Sequence, residues 1–352
     1  MTIPASKNPL GLDGFAFAEF TSPDPARMAA QLQQLGFTPA ARDEARGLTL
    51  FRQGGIRLVL NAGPGQAEDF RRLHGASANG MAFRVADASR AQALALERGA
   101  VAVDAATTAL PGAKVIQGIG GLALYLVDTD PFTGWAEVPG WREAMANNSV
   151  GLELLDHLTH NVRRGQMRTW SSFYNRLFGF EEQKYFDIKG QATGLFSQAM
   201  IAPDGAIRIP LNESQDDNSQ IEEFLREYHG EGIQHLAFTT GNIYETVEKL
   251  RARNVSLQDT VETYYELVDK RVPGHGEDLA RLQRNRILID GSVGEEGILL
   301  QIFTNNLFGP IFFEIIQRKG NQGFGNGNFQ ALFESIELDQ IRRGVINVAR
   351  GA

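Results

Sequence analysis

Cysteine is absent from the 352-residue chain. Its absence rules out disulfides, thiolate zinc sites, iron–sulfur clusters and cysteine nucleophiles. Any bound metal must therefore be held by histidine, carboxylate or backbone oxygen. Histidine is also scarce, with six residues in the whole chain, so a histidine-based site has few candidate ligands.

Positive charge is in deficit as well. Lys and Arg number 34 against 42 Asp and Glu, which gives a net charge of −8. A nucleic-acid binder needs a basic surface to displace counterions, so we expect no nucleic-acid partner. The sequence has no run of about 18 apolar residues, and its N-terminal residues lack the apolar core of a signal peptide. We therefore expect no membrane partner and a cytoplasmic protein.

The chain is long enough for about two domains. Short strand patterns alternate with single helical patterns, and this arrangement recurs as four copies of a strand–helix–strands unit, two in each half. The stretch 131–149 is rich in Pro, Gly and Asn and is predicted to link the halves. The sequence thus predicts an α+β protein with domains at residues 1–150 and 151–352.

Aligning the halves suggests that one of them carries a site which the other lacks. The segment ending at Gly14 matches the one ending at His157, 143 positions later. The segment starting at Gly80 matches the one starting at His235, 155 positions later. Two predicted strands that carry histidine in the second half thus carry glycine in the first, which predicts a scaffold without metal over residues 1–150.

Three polar residues interrupt apolar strand patterns in the second half: His157, His235 and Glu314. Because side chains alternate between the faces of a strand, His157 and His160 point to opposite faces and cannot both bind one metal. The alignment of the halves favours His157. A carboxylate such as Glu314 is costly to bury unless a cation or metal accompanies it.

Two histidines and one carboxylate on separate strands match the donor set of a facial triad, which leaves open positions on Fe(II). Zinc is the competing metal, although the helical HExxH spacing is absent. Each residue also has a structural interpretation. A histidine in a strand is most often a hydrogen-bonded core residue, and Glu314 could pair with Arg318.

Neutral amides and phenylalanines surround these positions in the sequence. Phe303 and Phe312 lie two residues from Gln301 and Glu314, respectively, on the same strand faces. Such a shell suits a planar aromatic substrate with a polar end. Other polar residues on or beside neighbouring strands are Ser197, Asn212, Gln220 and Gln234. The last segment, from 328 to 345, has an amphipathic helical pattern after the glycine-rich stretch GNQGFGNGN, which indicates a lid.

The motifs LLDHLTHNV, GEGIQHLAF, GILLQIF, GPIFFEIIQRKG and GFGNGNFQALFESIE occur in this order. Together they resemble the bacterial 4-hydroxyphenylpyruvate dioxygenases over nearly the whole chain. The resemblance implies a vicinal oxygen chelate fold: four βαβββ-type modules forming two open barrel-like domains, with a C-terminal lid helix. It also implies a homo-oligomer.

The resemblance further implies one Fe(II) per chain, held by His157, His235 and Glu314, with Phe303 and Phe329 flanking the substrate ring. The remaining side chains assigned to catalysis or substrate binding are Gln234, Gln301, Ser197, Asn212, Gln220, Phe312 and Phe324. The implied reaction converts 4-hydroxyphenylpyruvate and dioxygen to homogentisate and CO2 by oxidative decarboxylation, ring hydroxylation and side-chain migration.

Two other functions stay open. A 4-hydroxymandelate synthase would share the fold, metal and substrate but oxidise the benzylic carbon, and a smaller aliphatic residue at the place of Phe329 would favour that outcome. A non-catalytic binding protein on the same fold would bind metal without consuming dioxygen.

Overall fold

A computed structural model describes residues 8–189, 194–217, 219–328 and 330–331. Within these ranges each half of the chain forms an eight-stranded sheet. The strands of the first sheet are β1 (Phe15–Thr21), β2 (Thr38–Asp43), β3 (Leu48–Gln53), β4 (Ile56–Asn61), β5 (Ser77–Arg84), β6 (Lys114–Gln117), β7 (Ala123–Val127) and β8 (Ala136–Glu137). Those of the second are β9 (Leu152–Val162), β10 (Glu181–Lys189), β11 (Gly194–Ile201), β12 (Arg208–Ser214), β13 (Gly232–Thr240), β14 (Leu288–Ser292), β15 (Gly297–Phe303) and β16 (Phe312–Lys319).

Helices connect the strands and cover the sheets. They are α1 (Pro25–Gln34), α2 (Gln66–His74), α3 (Ala88–Glu97), α4 (Trp141–Asn148), α5 (Met167–Phe178), α6 (Gln220–Glu227), α7 (Ile243–Ala252), α8 (Glu262–Glu266), α9 (Val268–Arg271) and α10 (Leu279–Asn285). None of the helices in the described ranges is long and apolar enough to cross a membrane.

The strand orders are β6-β7-β5-β1-β4-β3-β2-β8 and β10-β11-β12-β9-β13-β16-β15-β14. Each sheet contains two modules in which a strand is followed by a helix and antiparallel strands, and the last strand lies parallel to the first. The first strands of the two modules pair with each other at the centre of the sheet. The predicted fourfold repeat and α+β class are confirmed, although the module that begins with β5 is one strand shorter.

The predicted linker is not an irregular segment. It contains β8, which pairs with the edge strand β2, and helix α4, whose Trp141 is buried. The first half therefore extends its sheet by one short strand before the chain enters β9.

The strand register corrects the alignment of the two halves. Phe17, and not Gly14, occupies the place of His157, an offset of 140 positions. Gly80 does correspond to His235, because they pair with Glu19 and Thr159 at the same point of each sheet. The corresponding rows across three strands are Phe17–Ala82–Tyr125 in the first sheet and His157–Ala237–Glu314 in the second.

Two β-bulges in the central strand pair recur at corresponding places in both sheets and set this register; the pair β9 and β13 has a third irregularity between Phe238 and Thr240. The extra residues are Asp156 in β9 and Gln234 in β13, and their counterparts in the first sheet are Ala16 and Asn79. A bulge places two residues of one strand opposite one residue of the next, so it breaks the strict alternation of faces. A sequence match that ignores the bulges can slip, as the match at Gly14 did.

The halves share one apolar core. Phe20 packs edge-on against Phe308 and Phe313, with ring centres 5.2 and 6.1 Å apart. Phe83 packs against Phe178 in the same manner, at 5.3 Å. Each of these five rings is almost fully buried. The sheet of the first half thus supports the sheet that carries the candidate ligands.

Candidate metal centre

Three neighbouring strands bring His157, His235 and Glu314 together. Glu314 Oε2 lies 3.2 Å from His157 Nε2 and 3.4 Å from His235 Nε2. One ligand atom of each residue lies within 4.8 Å of the other two. The side chains of His157 and Glu314 are buried, and 11% of the His235 side chain is exposed. Two imidazole nitrogens and one carboxylate oxygen thus converge on a single point inside the second sheet.

Each bulge supplies a hydrogen-bond acceptor for the histidine that follows it. Asp156 Oδ2 lies 2.8 Å from His157 Nδ1, and Gln234 Oε1 lies 2.5 Å from His235 Nδ1. Because an ionised carboxylate and an amide oxygen only accept, each Nδ1 carries the proton and donates it. Nε2 is then the nitrogen of each ring that can bind a metal once it carries no proton, and the ring orientation is held by a partner at Nδ1.

The electrostatics of the cluster favour an ionised carboxylate. Burial on its own raises the pKa of Glu314, but the facing His157 and His235 imidazoles hold that pKa at about 2. Burial likewise opposes ionisation of Asp156, but hydrogen bonds from Arg318 and His157 keep its pKa well below the usual range. Burial lowers the pKa of His235 and so favours the neutral imidazole that binds metal. Burial also opposes ionisation of His157, but the facing Glu314 and Asp156 carboxylates raise its pKa, so a metal bound there replaces a proton on Nε2.

The donor set fits a divalent metal. A neutral imidazole pair and one carboxylate are the protein ligands of a facial triad, and zinc accepts the same donors in sites with an open position. Glu314 Oε1 also accepts a hydrogen bond of 3.1 Å from Gln301 Nε2. This amide holds the carboxylate in place and leaves Oε2, which faces the histidines, for a metal. The Thr159 hydroxyl, 3.0 Å from His235 Nε2, can rotate away when that nitrogen binds a metal.

Aromatic rings enclose the cluster. Phe312 stacks on His235, with ring centres 4.8 Å apart and planes 18° apart, and Phe303 lies edge-on to the same imidazole at 6.5 Å. Phe324 packs edge-on against His157 at 5.2 Å. Phe303, Phe312 and Phe324 are each half-buried. These rings reduce access of water to the ligands and offer apolar surface to an aromatic substrate.

The polar residues predicted around the substrate fall into two groups. Ser197 and Asn212 are paired across β11 and β12, and both are half-buried. Gln220 is exposed in the first turn of α6, which sets it apart from the other predicted side chains. Phe329 lies outside the described residues, as does the predicted lid helix from residue 332 onward.

Asp156, Asn161 and the actual partner of Arg318 were not predicted from the sequence. Arg318 does not pair with Glu314, as the structural alternative held, but binds Asp156 through Nε and Nη2 at 2.8 and 2.7 Å. Strict alternation of strand faces would place Asp156 on the face away from His157, because it takes no account of the bulge. Asn161, the strand partner of Asn212, is fully buried, and its amide atoms have no hydrogen-bond partner among the described residues.

His160 lies apart from the cluster. Its Nε2 is 2.6 Å from the hydroxyl of Tyr174 on α5, and both residues are fully buried. The hydrogen bond joins strand β9 to the helix that covers the sheet. His160 therefore has a structural partner of its own.

Comparison with known proteins gives two family matches. Residues 6–134 match the family described as hydroxyphenylpyruvate dioxygenase, N-terminal. Residues 154–267 match the glyoxalase/bleomycin resistance protein/dioxygenase superfamily. The division agrees with the two sheets.

Curated proteins and a solved structure match almost the whole chain. A 4-hydroxyphenylpyruvate dioxygenase of Pseudomonas aeruginosa is 57% identical over 96% of this chain and 97% of its own. A protein of Vibrio vulnificus named hemolysin VllY is 52% identical over 97% of this chain and 99% of its own. The structure of a mutant 4-hydroxymandelate synthase from Streptomyces coelicolor is 28% identical, with a TM-score of 0.81 over 94% of this chain and 100% of its own. The chain therefore belongs to the 4-hydroxyphenylpyruvate dioxygenase family and is a dioxygenase of the vicinal oxygen chelate fold.

Proposed function

We propose that this protein is an Fe(II)-dependent enzyme that converts 4-hydroxyphenylpyruvate and dioxygen to homogentisate and CO2. The observation that carries the proposal is the convergence of His157, His235 and Glu314 in a chain 57% identical to a curated enzyme of that name. Both atoms of dioxygen enter the products, so the reaction needs no external reductant.

The three ligands would hold one Fe(II) per chain. Bound there, iron supplies open positions for the 2-oxo acid group and for dioxygen, and the electrons that activate dioxygen. Zinc fits the donors equally well but has no redox chemistry, so it supports the binding-protein alternative and not the oxidation. Iron is therefore the metal that this function requires.

The remaining groups of the site would bind and orient the substrate. Phe303, Phe312 and Phe324 present apolar ring faces and edges next to the ligands. Gln234 holds His235, and Gln301 holds Glu314. The half-buried pair Ser197 and Asn212 offers neutral polar groups for the polar end of the substrate. The protein thereby positions the aromatic ring and limits water, while the metal supplies the redox chemistry.

Product identification tests the proposal. Metal-free protein is loaded anaerobically with Fe(II), given 4-hydroxyphenylpyruvate and air-saturated buffer, and the products and dioxygen uptake are measured. Homogentisate and CO2 in equal amounts, each matched by one dioxygen, support the proposal, and the Glu314→Ala variant should form neither. Accumulation of 4-hydroxymandelate would identify the synthase activity. Tight iron binding without dioxygen uptake would identify a binding protein.

The family resemblance also leads us to propose a homo-oligomer. Light scattering coupled to size-exclusion chromatography measures the mass in solution against the 38.7 kDa of one chain. A mass of one chain across the working concentration range would contradict this.

A further inference from the structure

We propose that Arg318 is a positioning residue which links the orientation of His157 to the backbone of the glycine-rich segment 320–328. The inference rests on the metal site proposed above. It concerns a connection between two parts of that site: metal binding at His157 orders the segment, and the ordered segment strengthens metal binding.

The first end of the link is the pair of Arg318 and Asp156. Arg318 Nε donates to Asp156 Oδ1 at 2.8 Å, and Nη2 donates to Oδ2 at 2.7 Å. The same Oδ2 accepts the Nδ1 proton of His157. The guanidinium is planar and rigid, so a two-point contact of this kind fixes the plane of the carboxylate as well as its position. The plane of Asp156 in turn fixes the His157 ring.

The second end of the link is the backbone of the segment. Arg318 Nη1 donates to the carbonyl oxygens of Asn321 and Gly323, at 3.1 and 2.7 Å. The ring of Phe324, the next residue, lies below the guanidinium at 5.8 Å and packs against His157. One guanidinium thus contacts the carboxylate behind a metal ligand and the carbonyl groups of the segment that packs on that ligand.

Arg318 does more than neutralise the charge of Asp156. Arg208 Nη1 also lies 3.5 Å from Asp156 Oδ1, so the carboxylate has a second cation nearby. Arg208 contacts Asp156 at one oxygen only, and its Nη2 donates to the side chain of Gln322 at 2.8 Å. Among the described residues, only Arg318 combines a two-point contact to Asp156 with hydrogen bonds to the backbone of the segment. This combination is what a positioning role requires.

A second chain of contacts reaches the segment from another ligand. Gln301 donates to Glu314, and Gln301 Oε1 accepts from Asn328 Nδ2 at 2.8 Å. Asn328 Oδ1 accepts in turn from the hydroxyl of Tyr264 at 2.5 Å. Two of the three candidate ligands therefore connect to the same nine residues, Glu314 through Gln301 and His157 through Asp156 and Arg318. The segment is thus held in place by hydrogen bonds to the groups that orient the candidate ligands.

Linkage makes the effect reciprocal. If the bound metal stabilises the contacts of the segment, then breaking those contacts lowers the metal affinity by the same factor. The segment has amide protons that can report on this, because the amide of Gly323 donates to Asn321 Oδ1 and that of Gly327 donates to Asp290 Oδ2. Their exchange with solvent measures local opening.

The test uses the full-length protein without turnover. Hydrogen exchange of the peptide covering 320–328 is followed by mass spectrometry with and without Co(II), a redox-silent stand-in for Fe(II), and Co(II) affinity is measured by competition with a chelator. In the parent, Co(II) should slow exchange in this peptide. Arg318→Met should lose that slowing and weaken Co(II) binding by about 10–100-fold. Arg318→Lys keeps the charge but not the planar fork, so it should recover part of the affinity without the slowing.

Arg281→Lys is the matched control, because Arg281 makes the same two-point contact with Glu248, at 2.9 and 2.8 Å, and joins helices α10 and α7, neither of which carries a candidate ligand. It should leave both readouts at parental values. If Arg318→Met does not fold, Arg318→Lys and Asp156→Asn carry the test. Co(II) slowing of segment exchange that persists in either Arg318 variant, or parental Co(II) affinity in both, would overturn the inference. Neither readout depends on product formation, so a failure of the proposed function is seen separately in the product assay.

Discussion

Phe17 lies 5.2 Å from Tyr125, ring centre to ring centre, at the point of the first sheet where the second sheet has His157 facing Glu314. Two aromatic side chains thus occupy the positions of two metal ligands. Glycine occupies the third, since Gly80 corresponds to His235. At these three positions the first half has neither a histidine nor a carboxylate.

From this relationship we expect one metal per chain, bound by the second half. His157→Ala, His235→Ala and Glu314→Ala should each lower the metal content to background and abolish turnover. Glu19→Gln is the control, because Glu19 is a buried carboxyl of the first half held by Asn61 and Tyr125. It should keep one metal per chain. Elemental analysis of the full-length proteins measures this, and two metals per parental chain would contradict the assignment.

Removing the amide that holds Glu314 should weaken the site without destroying it. Gln301→Leu retains bulk but loses the 3.1 Å hydrogen bond to the carboxylate. We expect a loss of about 10–100-fold in metal affinity or kcat/KM, the usual effect of a partner behind a ligand. Gln92→Leu is the matched control, since Gln92 donates to the Val115 carbonyl in the first half. Equal effects of the two substitutions would show that Gln301 matters only for stability.

His160 should make the protein less stable in acid. Burial lowers the pKa of His160 to about 3, whereas in the unfolded chain it is near 6.5. Between these values the unfolded chain binds the proton and the folded chain does not, so stability falls as the pH falls below 6.5. From pH 7.0 to 5.5 this group alone lowers the free energy of unfolding by roughly 1 kcal/mol.

The comparison variant for this effect is His160→Gln, which cannot take up the proton. Urea unfolding at pH 7.0 and 5.5 should show a smaller loss of stability for the variant than for the parent. Its metal content should stay at one per chain, because His160 bonds to Tyr174 and not to the cluster. Parallel pH dependence of parent and variant would mean that folding does not lower the pKa of His160.

The choice of product should depend on Phe329. This residue directly follows Asn328, which is tied to Gln301, and the family resemblance assigns Phe329 to one side of the substrate ring. An aromatic contact contributes about 0.5–1.5 kcal/mol beyond burial, equivalent to roughly two- to tenfold in partition between products. Phe329→Ile should keep the metal and dioxygen uptake but lower homogentisate in favour of 4-hydroxymandelate or an uncoupled ring product. An unchanged product ratio with a slower rate would make Phe329 a packing residue only.

Strand periodicity was enough to predict the elements that carry the ligands. It assigned His157, His235 and Glu314 to strands and separated His157 from His160, because two-residue alternation holds over those stretches. It failed at the bulges. Bulged residues such as Asp156 leave no mark in a two-residue pattern, so neither its contact with His157 nor the true counterpart of His157 could be read from the sequence.

Contacts between distant parts of the chain could not be predicted from the sequence either. Arg318 and Asp156 are 162 positions apart, and their pairing depends on how β9, β13 and β16 lie side by side. The sequence shows a basic residue near the end of one strand and an acidic residue in another, which fits many partners. Only the strand order selects one of them.

The shared core has a consequence for how the two halves can change over time. Phe20 packs against both Phe308 and Phe313, so the first half supports the second half by packing and supplies none of the candidate ligands. Substitutions at Phe17 or Tyr125 affect only packing inside the first half. A substitution at Phe20 leaves a hole beside the strand that carries Glu314. Substitutions inside the first half can therefore accumulate without disturbing the metal cluster, whereas the residues that pack against the second half must be kept. Separating the two halves would leave each with an exposed apolar surface.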